Sequence, residues 1–309
     1  MQPPSTRKGI LLAGGSGTRL APLTRIITKQ LLPVFDKPMI YYPLSLLMLA
    51  GIREVAIVSD PDNLPLIRKL LGDGGEFGLE LQYLTQERPG GIAEAFIVAA
   101  DFIAGAPLCL VLGDNILYGH DLSTLLREAA DRKESTIFGV QVHNPQDYGV
   151  VTIDERGRPI TIEEKPSRPP SRIAVPGLYF LDGDAVAFAR QTQRSAAGEL
   201  EIVPVLRRYL AGGRLHLELL GRGFAWIDAG THSSLQEAGN FVAMIERRQS
   251  QKIACIEEIA YNMGWISTEQ LRRHADAYGR SSYGEYLASL LDQPAGSPGL
   301  RIVGTDTAR

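Results

Sequence analysis

One stretch near the N-terminus constrains this chain more than any other: Gly9-Ile10-Leu11-Leu12-Ala13-Gly14-Gly15-Ser16-Gly17-Thr18-Arg19-Leu20. Ile10 to Ala13 is a short apolar run, the pattern of a strand buried on both faces in a parallel sheet. It empties into Gly14, Gly15 and Gly17. Without Cβ atoms, glycines there turn the backbone tightly and bring its N–H groups close to a bulky anion. A strand ending in such a loop is how α/β proteins build phosphate sites at the carboxyl ends of their strands.

Two familiar phosphate loops do not fit. A Walker A loop needs Gly-Lys-Ser/Thr after its glycines, and here Gly17 is followed by Thr18 and Arg19. A dinucleotide fingerprint needs a third glycine where this chain has Leu20. What remains is a glycine loop served by an arginine fork at Arg19 and a compact ammonium at Lys29, cations suited to a triphosphate. A tight turn with a surface arginine is the plain alternative. The order strand, loop, Arg, Lys favours phosphate.

The rest of the first half repeats strand and helix. Helices are expected over Met39 to Ala50, Leu64 to Leu71, Ile92 to Ile103 and Asp121 to Arg132. Strands are expected over Glu54 to Asp60, Leu79 to Leu84 and Pro107 to Leu112. Such units make a parallel sheet with helices on both faces. Past about residue 134 the rhythm changes to strands: Thr136 to Val142, Gly149 to Ile153, Ile160 to Lys165 and Val175 to Leu181. A helix over Gly198 to Leu210, strands over Leu215 to Leu219 and Phe224 to Ile227, and a helix capped by a serine near Ser233 follow. The fold class is therefore α/β: a Rossmann-like mixed sheet flanked by helices, a mixed α+β insertion, and a small C-terminal helical appendage. The expected division is a core over 1–251, with halves of about 8–133 and 134–232 and a closing helix over 233–251. The appendage covers 252–293, and a mobile tail 294–309. The appendage has apolar residues enough to pack against something, either the chain's own core or a neighbouring subunit.

Composition excludes several classes of function. A net charge of −3 gives no ground for nucleic acid or an anionic membrane as partner, so a phosphate site must be a local cluster of cations. Cys109 lies in the apolar run Leu108 to Leu112 and reads as a core thiol. The five histidines lack metal-ligand spacing. Met1 to Lys8 is short and polar, without the apolar stretch of a signal peptide, and no run is long enough to span a bilayer. A reducing, cytoplasmic setting is expected.

Two aspartates sit directly after expected strands, in Leu112-Gly113-Asp114-Asn115 and Ile227-Asp228-Ala229-Gly230. Carboxylates at strand ends are placed to hold Mg²⁺ against nucleotide phosphates, and one or two suffice for that ion. Each alone could equally be a turn or helix cap. Glu163-Glu164-Lys165-Pro166 places two acids and a base at another strand end, where alternation sends the two glutamates to opposite faces.

Leu12 to Leu20, continued by Lys29-Gln30-Leu31-Leu32-Pro33-Val34-Phe35-Asp36-Lys37-Pro38-Met39-Ile40-Tyr41-Tyr42-Pro43-Leu44, closely resembles the sugar-nucleotidyltransferases. The resemblance is nearest to their short-form branch that joins a thymidylyl group to glucose 1-phosphate, and it runs to about Leu291. It implies dTTP and glucose 1-phosphate as substrates, Mg²⁺ as cofactor, dTDP-glucose and pyrophosphate as products, and the first step of dTDP-sugar synthesis, for example toward dTDP-L-rhamnose. It makes the second half a sugar-binding half. Arg19, Lys29 and Lys165 become the catalytic cations, and Asp114 and Asp228 the metal ligands. Gly14, Gly15, Gly17 and Thr18 would form the phosphate loop, with Gln30 nearer the sugar phosphate. Gln86 and Gly91 would read the base, Gly149 would line the sugar wall beside Tyr148, and Glu164 would take sugar hydroxyls. The resemblance further implies a homotetramer with a second nucleotide site near Tyr118, Gly119, His120, Arg222 and Glu258. UTP or another hexose 1-phosphate is the alternative within the same chemistry. A sugar-nucleotide sensor is the alternative outside it, though a sensor is expected to lose Arg19, Lys29 or an aspartate. Two departures stand out: Ile92-Ala93-Glu94-Ala95 replaces the family's usual Leu-Ala-Gln-Ala, and Glu201-Ile202-Val203-Pro204-Val205-Leu206 replaces a more polar run.

Overall fold

The structure is a computed structural model, and it describes residues 6–292. Met1 to Ser5 and the expected tail over 294–309 lie outside the described residues. The first half runs β1 (Lys8–Leu12), β2 (Pro33–Val34), β3 (Lys37–Pro38), α1 (Tyr41–Leu49), β4 (Glu54–Ser59), α2 (Leu64–Leu71), β5 (Glu80–Thr85), α3 (Glu94–Val98), α4 (Ala100–Ile103), β6 (Leu108–Leu112), β7 (Asn115–Tyr118) and α5 (Leu122–Asp131). β1 lies between β4 and β6, parallel to both, with Leu11 opposite Ile57 and Val111. β5 continues the parallel set beyond β4. Ile10 and Leu11 are wholly buried, one on each side of the sheet, and each contributes about 1.5–3 kcal/mol through burial.

The second half adds β8 (Ser135–Gln141), β9 (Gly149–Ile153), β10 (Pro159–Glu164), β11 (Ile173–Ala174), β12 (Leu178–Leu181), α6 (Ala185–Arg190), α7 (Ile202–Ala211), β13 (Leu215–Leu220), β14 (Ala225–Asp228) and α8 (His232–Gln249). One ten-stranded mixed sheet joins the halves in the order β10-β9-β11-β8-β12-β6-β1-β4-β5, with β13 parallel to β8. β14 and β7 form a separate antiparallel ribbon. α9 (Ile256–Asn262), α10 (Thr268–Tyr278) and α11 (Ser282–Leu291) complete the chain.

Three expected elements differ in detail. The helix over 92–103 breaks at Ala99, which leaves helical geometry at ψ 12°. Phe96 and Phe102 belong to one buried cluster, yet an unbroken helix would set them about 120° apart. The break lets both face inward. The strand expected over 175–181 is only β12, from Leu178, with the separate two-residue β11 ending just before it at Ala174. Pro176 between them has no N–H to give a ladder, and a Cβ on Gly177 would stand 2.5 Å from the Leu112 side chain. The cap of α8 is Thr231 rather than a serine: its hydroxyl accepts from Ser234 N at 3.2 Å, and Ser234 Oγ accepts from Thr231 N at 3.1 Å. α6 and β7 are short elements with no expectation from the sequence.

The C-terminal helices lie on the chain's own core. Ile256, Ile259, Ala260, Leu271 and Leu287 are buried in the same cluster as Leu11, Ile40 and Leu44, and α9 packs on α1. Beneath them Glu257 accepts hydrogen bonds from Tyr278 at 2.9 Å and Tyr283 at 2.6 Å, and Glu258 accepts one from Tyr286 at 2.8 Å. Burial pushes the Glu258 carboxyl up to about 7, only partly offset by Tyr286. A carboxyl with a higher value folded than unfolded costs stability as pH climbs between the two values. Glu258→Gln is therefore expected to leave stability at pH 4 nearly unchanged and to raise it at pH 8 by an amount on the order of 3 kcal/mol. Chemical denaturation at the two pH values measures this; equal effects at both would refute it.

Candidate active site

The candidate site forms where β1, β5, β6 and β14 end. β1 delivers Gly14, and the loop turns through Gly15 at φ 111° and Gly17 at φ 58°, conformations that L-residues rarely adopt. A side chain on Gly15 would meet nothing within 4 Å, so backbone shape and not packing favours glycine there. The loop closes into a short turn over Thr18–Leu20, which anchors Leu20 in the core and leaves Arg19 exposed.

β6 ends at Leu112, and Gly113 passes so close to Gln30 that a Cβ would stand 2.7 Å from its side chain. Asp114 follows, buried, and pairs with the Lys29 ammonium. Asn115 Nδ2 donates to Asp114 Oδ1 at 3.2 Å. Asn115 is itself fixed, its Oδ1 accepting from Trp226 Nε1 at 2.6 Å and from Gly177 N at 3.1 Å. The β7–β14 ribbon sets Asn115 opposite Asp228, and Ala229 N donates to the Asp114 carbonyl at 3.0 Å. Both aspartates thus share one small region. Burial pushes the Asp114 carboxyl up, but Lys29 outweighs it and holds the group below the ordinary carboxylate range. Asp228 goes the other way: burial and then the Asp114 charge push it up to about 6, against Lys29 and Arg19. Asp228 Oδ1 is buried with no hydrogen-bond partner. Arg19 lies beside it, its Nη2 2.8 Å from where a Cβ on Gly230 would stand.

The loop expected to read the base follows β5. Gln86, buried, has its Oε1 3.3 Å from the Cβ position of Gly14, and its Nε2 donates to Glu94. Gly91, at φ 94°, lies against Leu200, leaving no room for a Cβ. On the far side Tyr148 rests edge-on against Trp226, ring centres 4.8 Å apart. Gly149 follows, with Glu164 Oε2 3.8 Å from its Cβ position. Lys165 follows β10 at a positive φ of 39°, its N–H donating to Tyr148 O at 3.0 Å and its ammonium 3.6 Å from Glu164. Burial raises the Glu164 carboxyl, partly offset by Lys165.

The residues near Tyr118 make a different neighbourhood. Tyr118 donates to Gln249 Oε1 at 2.6 Å, Gly119 lies under the Phe224 ring, and His120 and Arg222 are exposed. Glu258 does not face solvent with them; it is buried beneath α11. An open cleft of about 1450 Å³ between β10, α7 and β13 shares Glu164 alone with the expected site residues. Asn115, Trp226 and Gly230 hold the aspartates in place and were not singled out by the sequence. Their only signal was adjacency to Asp114 and Asp228. Among the described residues no group of three or more His, Cys, Asp or Glu could hold a metal, so any cation here rests on the two aspartates. Also among the described residues, no helix is long and apolar enough to cross a membrane.

A glycine loop, a lysine, an arginine and two neighbouring carboxylates beside the carboxyl ends of the parallel strands β1 and β6 are the marks of a nucleotide-handling α/β protein. Residues 8–244 match the family described as nucleotidyl transferase. The chain is 52% identical over 290 residues to the glucose-1-phosphate thymidylyltransferase of Xanthomonas campestris pv. campestris (strain B100), covering 94% of this chain and 98% of that one. It is 50% identical over 286 residues to the Mycobacterium tuberculosis (strain ATCC 25618 / H37Rv) enzyme of the same name, covering 93% and 99%. Among solved structures, a Bacillus anthracis protein described as a glucose-1-phosphate thymidylyltransferase, in complex with a sucrose, aligns with TM-score 0.71 at 37% identity, over 76% of this chain and 94% of that one. A UDP-glucose pyrophosphorylase complexed with UDP-glucose aligns with TM-score 0.68 at 25% identity, over 78% and 99%. The chain belongs to the nucleotidyl transferase family, in its glucose-1-phosphate thymidylyltransferase branch.

Proposed function

We propose that this enzyme forms dTDP-glucose and pyrophosphate from dTTP and α-D-glucose 1-phosphate. The observation that carries the reading is the unpartnered, buried Oδ1 of Asp228 beside the Lys29–Asp114 pair, at the mouth of the glycine loop. A buried carboxylate oxygen without a partner is costly and calls for a cation. Asp114 and Asp228 would hold Mg²⁺, an ion that needs few protein carboxylates and completes its shell with substrate oxygens. When bound, it would neutralise charge on the phosphoryl group in transfer.

The chain's own residues do the rest. Lys29, released in part from Asp114, would offer its ammonium to a phosphate, and Arg19 would reach the triphosphate from the loop formed by Gly14, Gly15, Gly17 and Thr18. Gln30, beside Gly113, would lie nearer the sugar phosphate. Gln86 and Gly91 would meet the pyrimidine, Glu164 and Gly149 the glucose, and Lys165 the sugar phosphate. A sugar 1-phosphate has a second pKa of about 6 and is already mostly a dianion at pH 7. Its oxygen attacks the α-phosphorus in line, and pyrophosphate departs on the opposite side. No general base is needed; the protein brings two anions together and screens their charge. UTP differs from dTTP at the base by one methyl group, worth only about 1–3 kcal/mol, so some use of UTP is compatible with this reading.

Product identification tests the proposal. With Mg²⁺, dTTP and glucose 1-phosphate, chromatography should show dTDP-glucose and pyrophosphate in equal amounts, and galactose 1-phosphate or ATP should give far less. No dTDP-glucose would defeat it. The same reading takes the working place as the cytoplasm, the assembly as a homotetramer, and the surroundings of Tyr118, Gly119, His120 and Arg222 as part of a second, regulatory nucleotide site. Light scattering is expected to give the mass of four chains; a monomer at micromolar concentration would remove the assembly from the proposal.

A further inference from the structure

Glu94 and Arg194, which the reading above leaves unused, make a connected contact behind the base loop. Glu94 Oε2 accepts from Gln86 Nε2 at 2.7 Å, and Glu94 Oε1 accepts from Arg194 Nη2 at 2.6 Å. Arg194 Nη1 also donates to the carbonyls of Gly198 at 2.8 Å and Gly90 at 3.4 Å. The other neighbour of Gln86 Nε2 is the carbonyl of Gly91 at 3.4 Å. Both neighbours of that end of the amide are acceptors, so only its nitrogen can face them. The Gln86 oxygen is thereby turned the opposite way, toward Gly14 and the phosphate loop. Gln86 is only 5% exposed, which leaves its amide little solvent in which to turn over. A Cβ on Gly90 would stand 1.6 Å from Glu94 Oε2, so the carboxylate fills the space over that glycine.

We propose that Glu94, held by Arg194, is a positioning residue that locks the Gln86 amide with its oxygen toward the nucleotide, selecting pyrimidines that carry N–H at N3 and rejecting cytosine. The inference rests on the reading of Gln86 as the base contact. Thymine and uracil donate N3–H to an amide oxygen; cytosine presents a lone pair at N3 and meets that oxygen with repulsion. A glutamine at position 94 offers both a donor and an acceptor, so it tolerates Gln86 in either orientation. A carboxylate offers acceptors alone and permits one. A carboxylate near a triphosphate would otherwise repel it, and Arg194 supplies the opposing charge. Burial pushes the Glu94 carboxyl up, but the hydrogen bonds from Arg194 and Gln86 outweigh it and keep the group ionised below the ordinary range. This gives the departure from the family's usual glutamine a partner, Arg194, and a consequence.

The test compares kcat/KM for dTTP and dCTP at fixed glucose 1-phosphate and Mg²⁺, in the full chain and in Glu94→Gln, Glu94→Asp and Gln86→Leu. Glu94→Gln is expected to lower the dTTP:dCTP ratio by about tenfold or more, because a site with a fixed polar group discriminates strongly and a site whose group can turn does not. Glu94→Asp keeps the charge but withdraws the oxygens, and is expected to lower the ratio as well. Equilibrium binding of dTDP against dCDP reads the same preference without turnover. An unchanged ratio in both Glu94 variants, with a lowered ratio in Gln86→Leu, overturns the positioning role alone. An unchanged ratio in Gln86→Leu overturns the base contact itself, and the inference with it.

Discussion

Asp228→Asn is expected to reduce turnover at saturating substrates by about 10²–10³-fold, the range seen when one preorganised electrostatic contact to a developing charge is removed. The amide has the carboxylate's shape, so β14 and its pairing with β7 remain. What disappears is one of the two negative charges that would hold Mg²⁺. The same substitution removes a charge that the metal-free protein holds at a disadvantage, since burial and Asp114 both disfavour it. The metal-free variant is therefore expected to melt no lower than the parent at pH 8, while the apparent Mg²⁺ affinity falls about 10-fold or more. Loss of activity together with retained stability separates a metal ligand from a structural carboxylate. A normal Mg²⁺ dependence, or a lowered melting temperature with normal turnover, would contradict the assignment. Asp114→Asn is expected to match it in activity but not in stability, because Asp114 is paired with Lys29 and its removal strands a partly buried ammonium.

Arg19→Ala is expected to lower turnover by about 10²-fold or more with a stability change within about 0.5 kcal/mol. Arg19 is exposed on the short turn after Gly17, and the nearby core contact is made by Leu20. Its guanidinium lies beside Gly230 and Asp228, where it would meet a triphosphate held against the proposed metal. Arg19→Lys keeps the charge and loses the planar fork, so it should recover only part of the loss. Near-normal turnover in Arg19→Ala would end the phosphate-loop reading. A large loss of stability would make the arginine a structural residue of the turn.

The sequence made legible whatever short-range chemistry dictates. Ile10 to Gly17 could hardly be other than a buried strand entering a glycine loop, and Leu64 to Leu71 reads as a helix closed by Gly72, as it is. Elements defined by distant partners were not legible. β7 is four residues long and exists because β14 pairs with it across more than a hundred residues. The interruption between β11 and β12 depends on Gly177 meeting Leu112 and Asn115, which no local pattern announces. In the site, Asp114 and Asp228 could each be read from a strand end, but only the ribbon places them together and leaves one oxygen of Asp228 unpartnered. Glu94 was visible as a departure; Arg194, which answers its charge, lies a hundred residues away and came only with the fold. Glu258 shows the converse, since nothing in its sequence surroundings marks it as buried beneath Tyr286.

Direct transfer between two anions, without a protein nucleophile or base, is the centre of the account, and pyrophosphate release tests it most directly. The enzyme is mixed with dTTP and Mg²⁺ at enzyme concentrations high enough to detect one equivalent per site, with and without glucose 1-phosphate. Sustained release is expected when the sugar phosphate is present, and none above the slow hydrolytic background when it is absent. A burst of about one equivalent per site from dTTP alone would mean that the protein takes the thymidylyl group first, and would contradict direct transfer.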